Sequence, residues 1–246
     1  MVVSFHRLSP VLCVLRMLPE DGRRFPDYKA GQYIALRRED CKLTKRVVDD
    51  EGRPHYVYEL DASGVPRRGP VTHSYSISSS PFETARDGHL EFYVVLEKGE
   101  QGLPGRLTES IFQLDPANGD KVGYFDRITG DFTPDKRAAG FRDVVMVGTG
   151  TGVAPFVSML KQLDHDAQQG LGAPARYTLF HANRTRAELA YHEELVAIAA
   201  AGRLDVLQGG ERIRSYPVSV GRSRYATPTG QASTLALADS TEHHQF

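Results

Sequence analysis

Residues 143–156, DVVMVGTGTGVAPF, constrain this chain more than any other stretch. DVVMVG is a run of buried-strand type and Gly148-Thr149-Gly150-Thr151-Gly152 is a glycine-rich connection. Apolar residues at Val153, Phe156, Val157, Leu160 and Leu163 follow at the spacing of an amphipathic helix. Pro155 falls in the first turn of that helix, where a missing amide hydrogen costs little. Residues 176–182 (RYTLFHA) read as a second strand, residues 187–201 as a second helix stopped by Gly202, and residues 203–207 as a third strand. Strand, helix, strand, helix, strand is the order of a doubly wound parallel sheet.

Before about residue 135 the pattern is different. Short β-like runs at 11–16, 32–36, 56–60, 73–78, 90–96 and 121–123 are separated by turn signals such as Asp21-Gly22 and Asp50-Glu51-Gly52, with one helix over 105–111. Many short strands at this spacing predict an antiparallel β-barrel or sandwich. The boundary is expected near residues 138–140, giving an N-terminal domain over 1–138 and an α/β domain over 139–246. Residues 38–70 form an excursion containing a hairpin, with Lys42, Lys45, Arg46, Arg67 and Arg68 around it; such a segment serves cofactor cover or partner docking, or is a neutral loop. From residue 208 the large aliphatic side chains thin to Ile213, Val218, Val220, Leu235 and Leu237. No further buried strand is expected after Leu207, which leaves an incomplete three-stranded sheet with an exposed edge.

A chain of 246 residues suits two such domains. A net charge of -1 gives no global signal for nucleic acid or an anionic membrane, so neither is expected as a partner. The two cysteines, Cys13 and Cys41, have no CxxC or Cys/His spacing, which excludes a self-contained four-cysteine iron–sulfur cluster and a disulfide framework. No metal site is expected. Near the N-terminus short apolar pieces are broken by Arg7, Pro10 and Arg16, so neither a signal peptide nor a membrane span is read there, and a cytoplasmic monomer is the expectation.

Thr72 to Pro81 reads THSYSISSSP. Tyr75 and Ser76 are adjacent on an extended segment and point to opposite faces. Alone, the segment reads equally as a half-buried strand. It lies between Lys29-Ala30-Gly31-Gln32-Tyr33-Ile34 upstream and Gly105-Arg106-Leu107-Thr108 at a helix start downstream, and the glycine loop follows. In that order and approximate spacing, over residues 5–207, these segments resemble the ferredoxin-NADP reductase family.

The resemblance implies FAD and NADPH as cofactors and ferredoxin or flavodoxin as partner. It assigns Tyr75 to packing on the isoalloxazine, Ser76 to the catalytic position near flavin N5, and residue 73 to the flavin pyrophosphate. His73 stands where the family has arginine; a neutral imidazole offers one donor in place of a charged fork, so either the phosphate contact is weaker and pH-dependent or another cation, Arg106 among them, serves. Gly105 and Thr108 match the family's turn that meets the pyrophosphate at a helix N-terminus. Gly148, Thr149, Gly150, Thr151 and Gly152 match the nicotinamide-dinucleotide loop. Arg184, with Arg186, matches the arginine that holds the adenosine 2′-phosphate, which implies NADPH over NADH; solvated charges at a helix start are the alternative. Tyr216-Pro217 and Ser223-Arg224 echo a later family segment with altered spacing, and its cysteine-glycine motif is absent. The native end of the domain is therefore expected to be replaced or lost. Two alternatives stand beside ferredoxin (flavodoxin)-NADP reductase: the reductase component of an oxygenase system, and a flavin-binding remnant with impaired NADPH turnover.

Overall fold

Side-chain alternation shapes the first half. A computed structural model describes residues 2–20, 22–99, 102–171, 175–199, 206–207 and 233–237, the last two stretches as backbone only. β2 (Leu12–Met17) runs antiparallel between β1 (Val2–Ser9) and β7 (Leu90–Val95). β3 (Tyr33–Lys42) runs antiparallel between β6 (Arg68–Ser76) and β8 (Gly123–Thr129). Leu15, Leu90 and Phe92 of the first sheet meet Ile34 and Leu36 of the second in one core, which Leu107 and Ile111 of α2 (Arg106–Phe112) complete. The expected antiparallel barrel is thus built as two three-stranded sheets facing each other.

β2 and β7 are covered on both faces. Leu90, Phe92 and Val94 point into this first core, while Tyr93 and Leu12 join a second core made with the α/β part. That is why LEFYVV is apolar at nearly every position instead of alternating.

In the second half β9 (Asp143–Thr149) pairs in parallel with β10 (Arg176–Asn183), Met146 opposite Leu179. A 3-10 turn over Gly150–Val153 leads into α4 (Ala154–Gln168), which buries Val157 and Leu160 against Met146 and Leu179. α5 (His192–Ile198) adds Leu195 and Ile198 to the same core, so both described helices lie on one face of the sheet. Val145, Val147 and Phe180 on the other face are 63%, 60% and 38% exposed.

Several boundaries differ from the sequence reading. The helix expected over 187–201 begins at His192, after a separate 3-10 turn at Arg186–Glu188. β8 runs over Gly123–Thr129, where only 121–123 was expected. β1, the helix α1 (Pro81–Asp87) and the short α3 (Pro134–Arg137) were not anticipated. β11 (Val206–Leu207) is the described part of the expected third strand. It does not neighbour β10: β12 (Ser233–Leu237) lies between them, antiparallel to both, in the order β11-β12-β10-β9. The sequence reading expected no further buried strand after Leu207; β12 is a strand beyond that point. STLAL has only two large apolar side chains, and its place is set by backbone pairing to the edge of β10 rather than by hydrophobic pattern. The excursion is a hairpin, β4 (Thr44–Val48) against β5 (Pro54–Tyr58), and much of its charge is matched: Arg53 with Asp49 and Glu51, Arg67 with Glu59, Arg68 with Asp40, and Lys42 with Glu109 of α2 at 2.6 Å. Among the described residues no helix is long and apolar enough to cross a membrane.

Candidate functional site

Three segments distant in sequence meet at one cleft of about 390 Å³. The C-terminal end of β6 supplies His73, Ser74, Tyr75 and Ser76, the start of α2 supplies Gly105, Arg106, Leu107 and Thr108, and the loop into α4 supplies Thr151, Gly152 and Ala154. Tyr93, Val95 and Glu97, from β7 and just beyond it, close the floor.

β6 reaches the cleft because its pairing to β3 fixes Tyr75 opposite Ile34 and Ser76 opposite Tyr33. Tyr75 is half-buried and packs edge-on against Phe92, ring centroids 6.5 Å apart. Burial, with Glu97 nearby, pushes its phenol well above the ordinary range, so it stays neutral. His73 is exposed on the same wall. At the next wall, Gly105 precedes the first turn of α2, whose leading amides have no intrahelical acceptor. An added Cβ at Gly105 would stand 2.7 Å from Thr108 Oγ1, and that hydroxyl donates to the Gly105 carbonyl at 3.1 Å. The turn is a self-closed unit with Arg106 beside it.

Within the glycine loop the residues divide. Gly148 is buried, and a Cβ there would meet Val153 Cα at 2.9 Å, so the 3-10 turn can fold back only over glycine. A Cβ on Gly152 meets nothing within 4 Å, although Gly152 lines the cleft. Thr149 and Gly150 form the turn behind it and do not line the cleft.

Arg184 and Arg186 lie outside the cleft lining, on the exposed stretch after β10. Arg184 Nε is 3.6 Å from the buried carboxylate of Glu188. Asn183 Nδ2 donates to the Glu188 carbonyl at 2.7 Å and to the Tyr93 hydroxyl at 3.0 Å; Tyr93 in turn donates to the Glu188 carbonyl. Tyr93 and Glu97 were absent from the sequence reading. The near-continuous apolar run of β7 marks it as doubly covered but says nothing of which residue forms a cleft floor. The echoes at Tyr216-Pro217 and Ser223-Arg224 lie outside the described residues.

The family model of the oxidoreductase NAD-binding domain matches residues 146–219. Ferredoxin–NADP reductase B of Sorangium cellulosum is 29% identical over 225 residues, covering 90% of this chain and 68% of its own length. The flavohemoprotein of Halalkalibacterium halodurans is 27% identical over 160 residues, 64% of this chain but only 31% of the relative. The chain therefore spans about a third of one curated relative and two thirds of the other. A ferredoxin NADP+ reductase from Neisseria gonorrhoeae, solved with bound FAD and NADP, superposes with a TM-score of 0.54 at 20% identity, over 81% of this chain and 63% of that one. With its antiparallel sheets, its parallel-strand region and residues of the HSYS, GRLT and GTGTG segments gathered on one cleft, the chain is similar to the ferredoxin-NADP reductase family.

Proposed function

We propose that this chain is an FAD-dependent oxidoreductase that takes reducing equivalents from NADPH and delivers them singly to ferredoxin or flavodoxin, with residues 1–138 as the flavin domain and 139–246 as the nucleotide domain. The observation that carries this reading is the convergence of Tyr75, Ser76, Arg106, Thr108, Thr151 and Gly152 on one cleft.

The residues fit the cofactor. Tyr75 offers a flat aromatic wall for a flat ring, and Ser76 places a hydroxyl at its end, able to donate or accept a proton at N5. His73, Arg106 and the free amides at the start of α2 suit a pyrophosphate. The open space at Gly152 suits close approach of the backbone to a second one. When bound, flavin supplies the conversion between two-electron and one-electron transfer. The protein's own part is to hold the two nucleotides, keep Tyr75 neutral and present the Ser76 hydroxyl. Arg184 and Arg186 favour a 2′-phosphate, with Arg184 exchanging Glu188 for the phosphate. Buried free thiols at Cys13 and Cys41 accord with a reducing, cytoplasmic setting.

The similarity to a flavohemoprotein favours a second reading, in which the same flavin chemistry serves a haem or oxygenase partner. An anaerobic titration of the FAD-loaded protein followed through the flavin spectrum tests the cleft. Bleaching by NADPH in preference to NADH is expected, and Arg184→Ala reduces that preference by about tenfold. A protein that stays colourless after FAD is added would overturn every flavin reading, and a yellow protein bleached by neither nucleotide would mark a flavin-binding remnant. Cytochrome c reduction dependent on added ferredoxin separates the proposed partner from an oxygenase.

A further inference from the structure

The walls of the cleft belong to different cores, and what fixes one to the other lies behind it. Ser78, Ser79 and Ser80 follow Ser76 with only Ile77 between, and all three are buried. Tyr191, at the start of α5, donates its hydroxyl to Ser78 Oγ at 2.9 Å, and Ser158 of α4 donates to the Ser79 carbonyl at 2.7 Å. The Phe82 amide donates to Gln162 Oε1 at 3.0 Å. In the middle of this seam sits Lys161 of α4, 7% exposed, its Nζ 3.0 Å from Glu194, 3.3 Å from Glu83 and 3.9 Å from Glu91, and 5.1 Å over the Tyr191 ring. Glu91 is itself held by Arg16 at 2.6 Å.

The carboxylates come from α1, β7 and α5, so one ammonium on α4 ties three further elements together. Burial pulls the Lys161 pKa down, but Glu83, Glu91 and Glu194 together outweigh it and the lysine stays charged. A buried cation among carboxylates adds little net stability compared with an apolar packing, yet it tolerates only the arrangement that keeps its partners in reach. Tyr191 passes that constraint to the cleft in two directions: through Ser78 toward Ser76, and by edge-on packing at 5.6 Å against Tyr93, which lines the floor.

We propose that Lys161 and Tyr191 are positioning residues that hold the Thr151–Gly152 wall in register with the Tyr75–Ser76 wall, and so set the separation across which the nucleotide reduces the flavin. This rests on the reading of the cleft as a flavin and nucleotide site. Neither residue lines the cleft.

The test uses the FAD-loaded full chain and its Lys161→Met, Lys161→Arg and Tyr191→Phe variants. FAD affinity, read by flavin fluorescence quenching, stays within about twofold of the parent, because a register fault leaves each wall intact. The rate of flavin bleaching at saturating NADPH falls about tenfold or more in Lys161→Met and less in Tyr191→Phe, since small misplacements of reacting groups cost heavily. The isotope effect with 4-deuterated NADPH changes in Lys161→Met, a response that mere loss of folded protein does not produce. Lys161→Arg restores most of the rate. Amide exchange over residues 78–82 and 154–162 quickens in Lys161→Met while that of β3 does not. If Lys161→Met does not fold, Glu194→Gln, altering the half-exposed partner, shows smaller changes in the same direction. Parent-like bleaching per bound flavin with parent-like exchange, in whichever of these two variants folds, overturns the proposal. The exchange measurement needs no turnover: if the parent is bleached by neither nucleotide, the functional reading fails while exchange still decides whether the seam is held by Lys161.

Discussion

At the scale of single residues, His181 illustrates how a local letter acquires its meaning only from burial. It lies on β10 opposite Gly148, with no exposed surface, and burial pushes its pKa down to about 4 against the opposing pull of the Gly150 backbone. The unfolded chain takes up a proton near 6.5 whereas the folded chain resists until about 4, so stability is intact above 6.5 and is lost as pH falls between those values, by about 3 kcal/mol in all. Urea unfolding at pH 7.5 and pH 5 measures this: His181→Phe is expected to remove about 2 kcal/mol of the pH dependence. The loop beside it separates a glycine required by packing from one that lines the cleft. Gly148→Ala forces a methyl against Val153 backbone and lowers stability by about 1–3 kcal/mol. Gly152→Ala leaves the melting temperature unchanged and weakens dinucleotide binding, as thermal unfolding and nucleotide titration together would reveal. The sequence marks all the loop glycines alike; which ones the protein itself requires is decided by Val153 folding back over Gly148 and by the positive φ of Gly150.

Among elements, α1 carries its own signals in the sequence. Ser80 and Glu83 form a capping box, Pro81 opens the helix and Gly88 closes it at φ +76°. These signals are local, but Ser80 and Pro81 are also the last residues of THSYSISSSP, whose earlier part is strand β6. Ser80→Ala is expected to cost about 1 kcal/mol or somewhat more, measured by denaturant unfolding at neutral pH. The late start of α5 was not legible. The Glu188 carbonyl would accept from the His192 amide in a continuous helix, but Asn183 and Tyr93 occupy it, and the His192 amide donates to Leu189 instead. Contacts from β10 and β7, remote in sequence from α5, therefore override the helical periodicity of 187–201.

For the whole molecule, the placement of α4 and α5 on one face leaves Val145, Val147 and Phe180 exposed on the other. An apolar sheet face of this kind promotes self-association. Val145→Thr with Val147→Thr is expected to reduce binding of a hydrophobic dye and concentration-dependent scattering while leaving FAD affinity unchanged, because neither residue lines the cleft. The sequence by itself determined the two-part architecture, since strand alternation, the strand–glycine–helix transition at 143–156 and the 3.6-residue spacing of α4 are local consequences of backbone geometry. It also singled out HSYS, GRLT and GTGTG, each of which pairs residue types with a backbone form that suits a ring or a phosphate. Only the tertiary structure decided that these segments share one cleft, that Arg184 and Arg186 stand outside it, that Tyr93 and Glu97 complete it, and that β12 lies beside β10. The physical reason is the same throughout: periodicity reports which side of an element is covered, whereas what covers it depends on pairing and packing between residues far apart in the chain.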